Sequence, residues 1–160
     1  MSEGHGRLPE LAGIVECPTL RPDGTILSED GYDAATGLFL DTGGLDFDPV
    51  PEAPTREDAL AALEKLKWVI AGFPFVVDDA GRSPSRSVAL SAMLTAVCRR
   101  ALPTAPMHGF TAPTMGTGKS LLTDAVAMLA TGRLPAPQNQ PTEHGGEEER
   151  KWLLSVLMQG

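Results

Sequence analysis

The residues whose types and spacing could do chemistry are Pro113-Thr114-Met115-Gly116-Thr117-Gly118-Lys119-Ser120, a glycine-rich turn running into the apolar segment Leu121-Leu122-Thr123-Asp124-Ala125-Val126-Ala127-Met128-Leu129. Such a turn can hold a polyphosphate: backbone N–H groups from about Met115 to Ser120 would curl around the anion, and the helix N-terminus would add its positive end. Lys119 would reach the outer phosphates and Ser120 would offer its hydroxyl to Mg²⁺ carried by the nucleotide. Gly116 and Gly118 matter most, because a Cβ there would forbid a positive-φ backbone or stand between main chain and phosphate.

The full Walker A pattern begins with Gly where this chain has Pro113, so the intact part is Gly-Thr-Gly-Lys-Ser. Proline lacks an N–H, but the first position closes the preceding segment and is not the main phosphate donor, so Pro113 is expected to be tolerated. The bland alternative is a glycine-rich helix entry with an exposed lysine. Context favours the loop. Pro106 to Ala112 reads as a short buried strand, and Leu121, Leu122, Ala125, Val126 and Leu129 give the following helix one apolar face. Strand, glycine turn and helix together are the setting that nucleotide binding needs.

The elements that must position this loop fall into three stretches. Residues 1–54 read as a small β-rich segment and linker: an extended run Leu11–Leu20, a tight turn Arg21-Pro22-Asp23-Gly24, a return strand Thr25–Leu27, and short strands at Gly31–Asp33 and Gly37–Leu40, forming an antiparallel meander. Asp41 to Pro54 is rich in Gly, Asp and Pro and is expected to be a linker. Residues 55–104 read as helical. Thr55 and Asp58 stand in capping-box positions before Leu60, Leu63, Leu66 and Ile70, and Gly72 and Pro74 stop that helix. Ser83 and Pro84 open a second one, apolar enough through Val88, Leu90, Met93, Leu94 and Val97 to predict burial all round. Residues 105–160 would hold a partial P-loop core: the loop, its helix ending at Thr131-Gly132-Arg133, a short second strand within Leu134–Gln140, a loop at 142–146 and a last helix from Glu147 to Met158. The fold class expected is α/β, a parallel sheet with helices, preceded by a helical segment and the small meander.

Charge is unevenly spread. Residues 1–58 carry Arg7, Arg21 and Arg56 against thirteen carboxylates, and 59–160 carry ten Lys or Arg against eight, so a total of −8 conceals a strongly acidic first third. That third will not bind nucleic acid by itself; it reads as a solvated surface, or alternatively as a docking face for a basic partner. No stretch has the apolar length of a membrane span and residues 1–10 are polar without a signal-peptide core, so a soluble, cytoplasmic protein is expected. Cys17 and Cys98 stand without a C-x-x-C or a nearby His, and His5, His108 and His144 share no metal-ligand spacing.

Other groups have structural readings beside functional ones. Asp78 and Asp79 close the apolar run Phe75-Val76-Val77 as a magnesium-orienting acid closes a strand, but that acid ordinarily follows the phosphate loop. Arg99 and Arg100 read as helix C-terminal charges, Arg82 and Arg86 as surface or ion-pair residues unless a ring assembly makes them sensors, and Glu147 to Glu149 as helix-dipole partners.

The runs Trp68-Val69-Ile70-Ala71-Gly72-Phe73-Pro74-Phe75, Ser85-Arg86-Ser87 leading into Leu94–Arg100, and Ala112–Leu122 resemble the ATPase region of phage- and mobile-element-associated primase–helicase-like proteins. Gly13–Gly24 and Gly31-Tyr32-Asp33 look like the segment that precedes that region in the same proteins. Nearly the whole chain is covered, and Gly-Thr-Gly-Lys-Ser is the specific part. The resemblance implies ATP hydrolysis coupled to moving or unwinding DNA in a homo-oligomeric ring. Gly116, Thr117, Gly118, Lys119 and Ser120 match its nucleotide-binding motif and carry over as ATP contacts, with Lys119 acting on the transferring phosphoryl group and Ser120 on Mg²⁺; Met115 and Leu121, which flank them, are expected to join the nucleotide-binding set. The family's magnesium-orienting acid, sensor and arginine finger have no counterpart here. No strand ending in an acid follows Ser120, so a fragment cut before the Walker B strand, or a domain completed by another chain, is expected, binding nucleotide weakly and turning over little. Two other classes stay open. A nucleotide or metabolite kinase would ordinarily begin with the loop and would need arginines beyond it, where only Arg133 and Arg150 stand. A non-catalytic remnant serving as an interaction module would need Lys119 and Ser120 only to start a helix.

Overall fold

The computed structural model describes residues 9–135 and 146–158. The polar start at 1–8, residues 136–140 of the expected second core strand, loop residues 142–145, and His5 and His144 lie outside the described residues.

The N-terminal third folds as five short strands, β1 (Gly13–Val15), β2 (Thr19–Leu20), β3 (Ile26–Leu27), β4 (Gly31–Asp33) and β5 (Leu38–Leu40). They form two sheets, not one meander. The pairs β4–β5 and β2–β3 are antiparallel, with Tyr32 opposite Phe39 and Thr19 opposite Leu27. The other edge of β5 pairs with β1 in parallel, Ile14 opposite Phe39. Alternation on β5 sends Leu38 and Leu40 inward, where they meet Val15 and Leu27, and leaves Phe39 exposed. The β2–β3 turn closes with the Gly24 amide donating to the Arg21 carbonyl at 3.0 Å, and Gly24 sits at φ +87°, a backbone that excludes most side chains. The Arg21 guanidinium then fixes the hairpin to β4. It donates through Nε and Nη2 to the two oxygens of Asp33, at 3.2 and 3.1 Å, and through Nη1 to the Ile26 carbonyl at 2.9 Å. That bond to Arg21, with a second from Thr36, holds the Asp33 carboxyl below its ordinary pKa.

Residues 41–54 form no regular element. They are anchored at their start by Thr42, whose amide and hydroxyl both donate to the Asp30 carboxylate, at 2.9 and 3.0 Å.

Helix α1 (Arg56–Val69) begins at a reciprocal capping box. The Asp58 amide donates to Thr55 Oγ1 at 3.2 Å and the Thr55 amide to Asp58 Oδ2 at 2.8 Å. No residue within α1 is buried; the next one, Ile70, is fully buried. Helix α2 (Pro84–Cys98) is capped by Ser83, whose hydroxyl accepts from the Arg86 amide and donates to the Val76 carbonyl at 2.7 Å. Its apolar surface is not buried all round: Ala89, Ala92 and Met93 are, whereas Val88 and Leu94 stand about half exposed. Helix α3 (Lys119–Thr131) covers most of one side, and β2 touches another part of it. Ile70, Ala89, Met93 and Leu122 make the second core, with Phe73, Phe75, Phe110 and Leu129 packed around it. Fully burying a side chain the size of Ile70 or Met93 contributes about 1.5–3 kcal/mol.

Helix α4 (Glu147–Met158) carries Glu147, Glu148 and Glu149 in its first turn, where the helix dipole favours them, and pairs Lys151 with Glu147 at 2.9 Å. Leu153 and Leu154 are exposed. No helix among the described residues is long and apolar enough to cross a membrane.

The strand layer meets the helices through β2 against α2 and its following turn, and again at the far end of α3. The Glu16 amide donates to the Thr131 carbonyl at 3.4 Å, Arg133 Nη2 donates to the Ile14 carbonyl at 3.2 Å, and Arg133 Nε lies 3.5 Å from the Glu16 carboxylate. Gly132 caps the helix at φ +80°, packed so closely that a Cβ would stand 2.9 Å from both Cβ and carbonyl oxygen of Glu16. Close by, Cys17 is buried; desolvation first, and the Glu16 charge second, push its thiol pKa up, while Arg100 opposes them.

Candidate functional site

The expected strand before the loop is the main correction. Among the described residues no strand lies between Leu40 and Lys119, and residues 103–112 run as irregular backbone without ladder partners. The apolar composition of this stretch reflects packing of Phe110 on the helical core and not sheet pairing. Pro113 therefore opens the loop from a coil.

The loop itself has the backbone its glycines predict. Gly116 has φ +79° and Gly118 φ +86°, and Gly118 is the N-cap of α3, with no side-chain cap. Lys119, Ser120 and Leu121 form the first turn of that helix, where N–H groups have no intrahelical acceptor; the first turn closes when the Leu122 amide donates to the Gly118 carbonyl at 2.9 Å. Met115 and Gly116 form a turn that aims the Thr117 amide at the Thr114 carbonyl; among the described residues, the amides of Met115, Gly116, Gly118, Lys119 and Ser120 donate to no protein acceptor. Two of the loop's side chains turn inward on its own backbone: Thr117 Oγ1 and Lys119 Nζ both donate to the Thr114 carbonyl, each at 3.3 Å. The Met115 side chain is almost fully exposed, Ser120 and Leu121 are exposed, and Leu122 points into the core.

Beside the loop opens a cavity of about 530 Å³, bounded by Thr117, Gly118 and Lys119 on one side and by Phe73, Phe75, Val88, Phe110 and Pro113 on the others. Phe73 is the part that sequence reasoning missed. Its ring packs closely enough against the loop that a Cβ on Gly118 would lie 3.2 Å from Cε1. Phe75 follows with its ring centroid 6.1 Å away, and the Arg86 guanidinium lies 5.9 Å from the Phe75 centroid. The signal in the sequence was the pair of aromatics flanking Pro74, directly after the end of α1.

The other acids and bases have structural partners. Asp78 closes a turn: its Oδ1 accepts from the amides of Ala80 and Arg82, at 3.0 and 2.8 Å, and its Oδ2 from Arg82 Nε at 2.9 Å. The Arg82 amide is the leading cause of its lowered pKa, with the guanidinium adding to it. Arg99 donates to the Leu102 carbonyl at 2.8 Å, which finishes the 3-10 turn Arg99–Ala101. His108 Nε2 lies 3.3 Å from the Ser91 hydroxyl.

The donor set suits a nucleotide polyphosphate with its Mg²⁺. Uncommitted amides, two glycines at positive φ, an ammonium and a hydroxyl at the second helical position converge on one turn. No family, curated protein or solved structure matches this chain.

Proposed function

We propose that the chain is the ATP- and Mg²⁺-binding part of a helicase- or primase-type P-loop NTPase. The observation that carries this reading is the set of uncommitted amides at Met115, Gly116, Gly118, Lys119 and Ser120, bent by Gly116 and Gly118 and leading into α3. In this reading the Met115–Leu121 backbone holds the phosphates, Lys119 leaves the Thr114 carbonyl to neutralise the outer phosphoryl oxygens, and Ser120 holds the metal. When bound, Mg²⁺ would supply charge neutralisation between the outer phosphates. Among the described residues no carboxylate lines the cavity beside the loop, so the proposal is of binding, with hydrolysis dependent on an acid brought from elsewhere.

The resemblance to primase–helicase-like proteins extends the proposal to DNA as a partner, a homo-oligomeric ring, a prophage or mobile-element origin and a cytoplasmic location. Calorimetric titration with Mg²⁺ and ATP tests the binding step: heat is expected with the wild type and not with Lys119→Ala, and equal signals from both would overturn the reading. Single-stranded DNA added to an ATPase assay tests the motor assignment, since a metabolite kinase has no reason to respond to it.

A further inference from the structure

The loop accounts for phosphates and leaves the neighbouring cavity unexplained. That cavity has the volume of a small-ligand site, it is continuous with the loop through Thr117, Gly118 and Lys119, and its other walls are largely aromatic and aliphatic. Phe73, Phe75 and Phe110 contribute rings; Val88 at its edge is about half exposed, so the space opens to solvent from the α2 side. Among the described residues, the polar side chains lining it are those of Ser85, Thr111, Thr117 and Lys119, with no carboxylate, amide or imidazole.

From this we infer that the cavity takes the purine base of the nucleotide whose phosphates the loop holds, and takes it by stacking and apolar contact without side-chain readout of the base edge. The inference rests on the phosphate-binding reading of the loop. An apolar slot of this kind gains affinity from ring area and discriminates poorly between isosteric heterocycles, because rejecting one of them requires a dedicated polar partner that the other satisfies. ATP and GTP should therefore bind alike, and both should bind more tightly than a bare phosphate chain. Phe73 makes the connection physical: the same ring that forms the cavity wall packs on Gly118 of the loop.

Equilibrium titration of the full chain in Mg²⁺, with ATP, GTP and inorganic tripolyphosphate as three separate probes, tests this. ATP is expected to bind about ten-fold more tightly than tripolyphosphate, with GTP within about three-fold of ATP. Val88→Trp, at a half-exposed helix position, should fill the mouth of the cavity, erase the advantage of ATP and leave tripolyphosphate affinity unchanged; Ser85→Trp should do the same. Unchanged tripolyphosphate binding also shows that the variants fold. Three results overturn the base site while leaving the loop reading intact: ATP no tighter than tripolyphosphate, an ATP advantage that survives both tryptophans, or an ATP–GTP difference above about ten-fold. Tripolyphosphate that fails to bind, or binds equally to Lys119→Ala, overturns the loop reading and the base site with it.

Discussion

The ring of Phe73 lies against the Cα of Gly118, close enough that a methyl group there would meet Cε1 at 3.2 Å and Cδ1 at 3.4 Å. Gly118 is thus fixed twice, by a backbone at φ +86° and by an aromatic neighbour, whereas Gly116, at φ +79°, has open space where a Cβ would project. Gly118→Ala should therefore lower stability by about 1–3 kcal/mol and abolish nucleotide binding. Gly116→Ala should cost about 1 kcal/mol from backbone strain alone. Thermal melts of the two variants, run in parallel, check the order.

Lys119 makes a single long bond to the Thr114 carbonyl and sits partly exposed. Lys119→Ala should leave the unliganded melting temperature nearly unchanged while removing the upward shift that saturating Mg²⁺ and ATP give the wild type, a shift equivalent to about 2.7 kcal/mol at a hundred times Kd. A melt with and without nucleotide reads both effects.

At the other end of α3, Gly132→Ala places a methyl group 2.9 Å from the Glu16 carbonyl oxygen in a backbone at φ +80°. Strain and overpacking add, so a loss of about 2–4 kcal/mol is expected. Arg133→Ala removes only an exposed ion pair and one bond to the Ile14 carbonyl, and should cost about 1 kcal/mol or less. Denaturant unfolding separates the two, and equal losses would contradict the packing assigned to Gly132.

Acid should loosen the hairpin. Asp33 has its pKa lowered from 3.8, chiefly by the Arg21 hydrogen bonds, so the folded state binds its proton less readily than the unfolded chain does. The stability this contributes is present in full above the unfolded value and is lost as pH falls through the lower folded value. Asp33→Asn should flatten that dependence below about pH 4 while leaving the behaviour near neutrality less stable by a constant amount. Unfolding midpoints measured from pH 7 down to pH 2 check it.

The parts of this fold that were legible in the sequence are those decided by neighbours along the chain. Thr55 with Asp58, Ser83 with Pro84, and Gly132 after Thr131 mark helix ends because a cap is satisfied within three or four residues. The positive φ of Gly116 and Gly118 was legible for the same reason. What failed needed partners distant in sequence. Pro106–Ala112 has the composition of a strand, but a strand exists only through its ladder, and here Phe110 turns to the helical core instead. The parallel pairing of β1 on β5 was hidden because alternation tells which face a residue takes and not which strand lies beside it. The contact of Phe73 on Gly118 and the cavity behind it span 45 positions of sequence and left only a pair of aromatics around Pro74 as a trace.

Helix α3 runs from the glycine loop to the Glu16 contact, a rod of thirteen residues and about 20 Å. Clamped at its far end by Gly132 and Arg133, beside the loop by Leu122 and between them by Ala125, Val126 and Leu129, it behaves as a beam supported at both ends. Whatever rearrangement accompanies the grip on an anion must then be absorbed by Thr114 to Gly118, because the beam behind them has no freedom to swing.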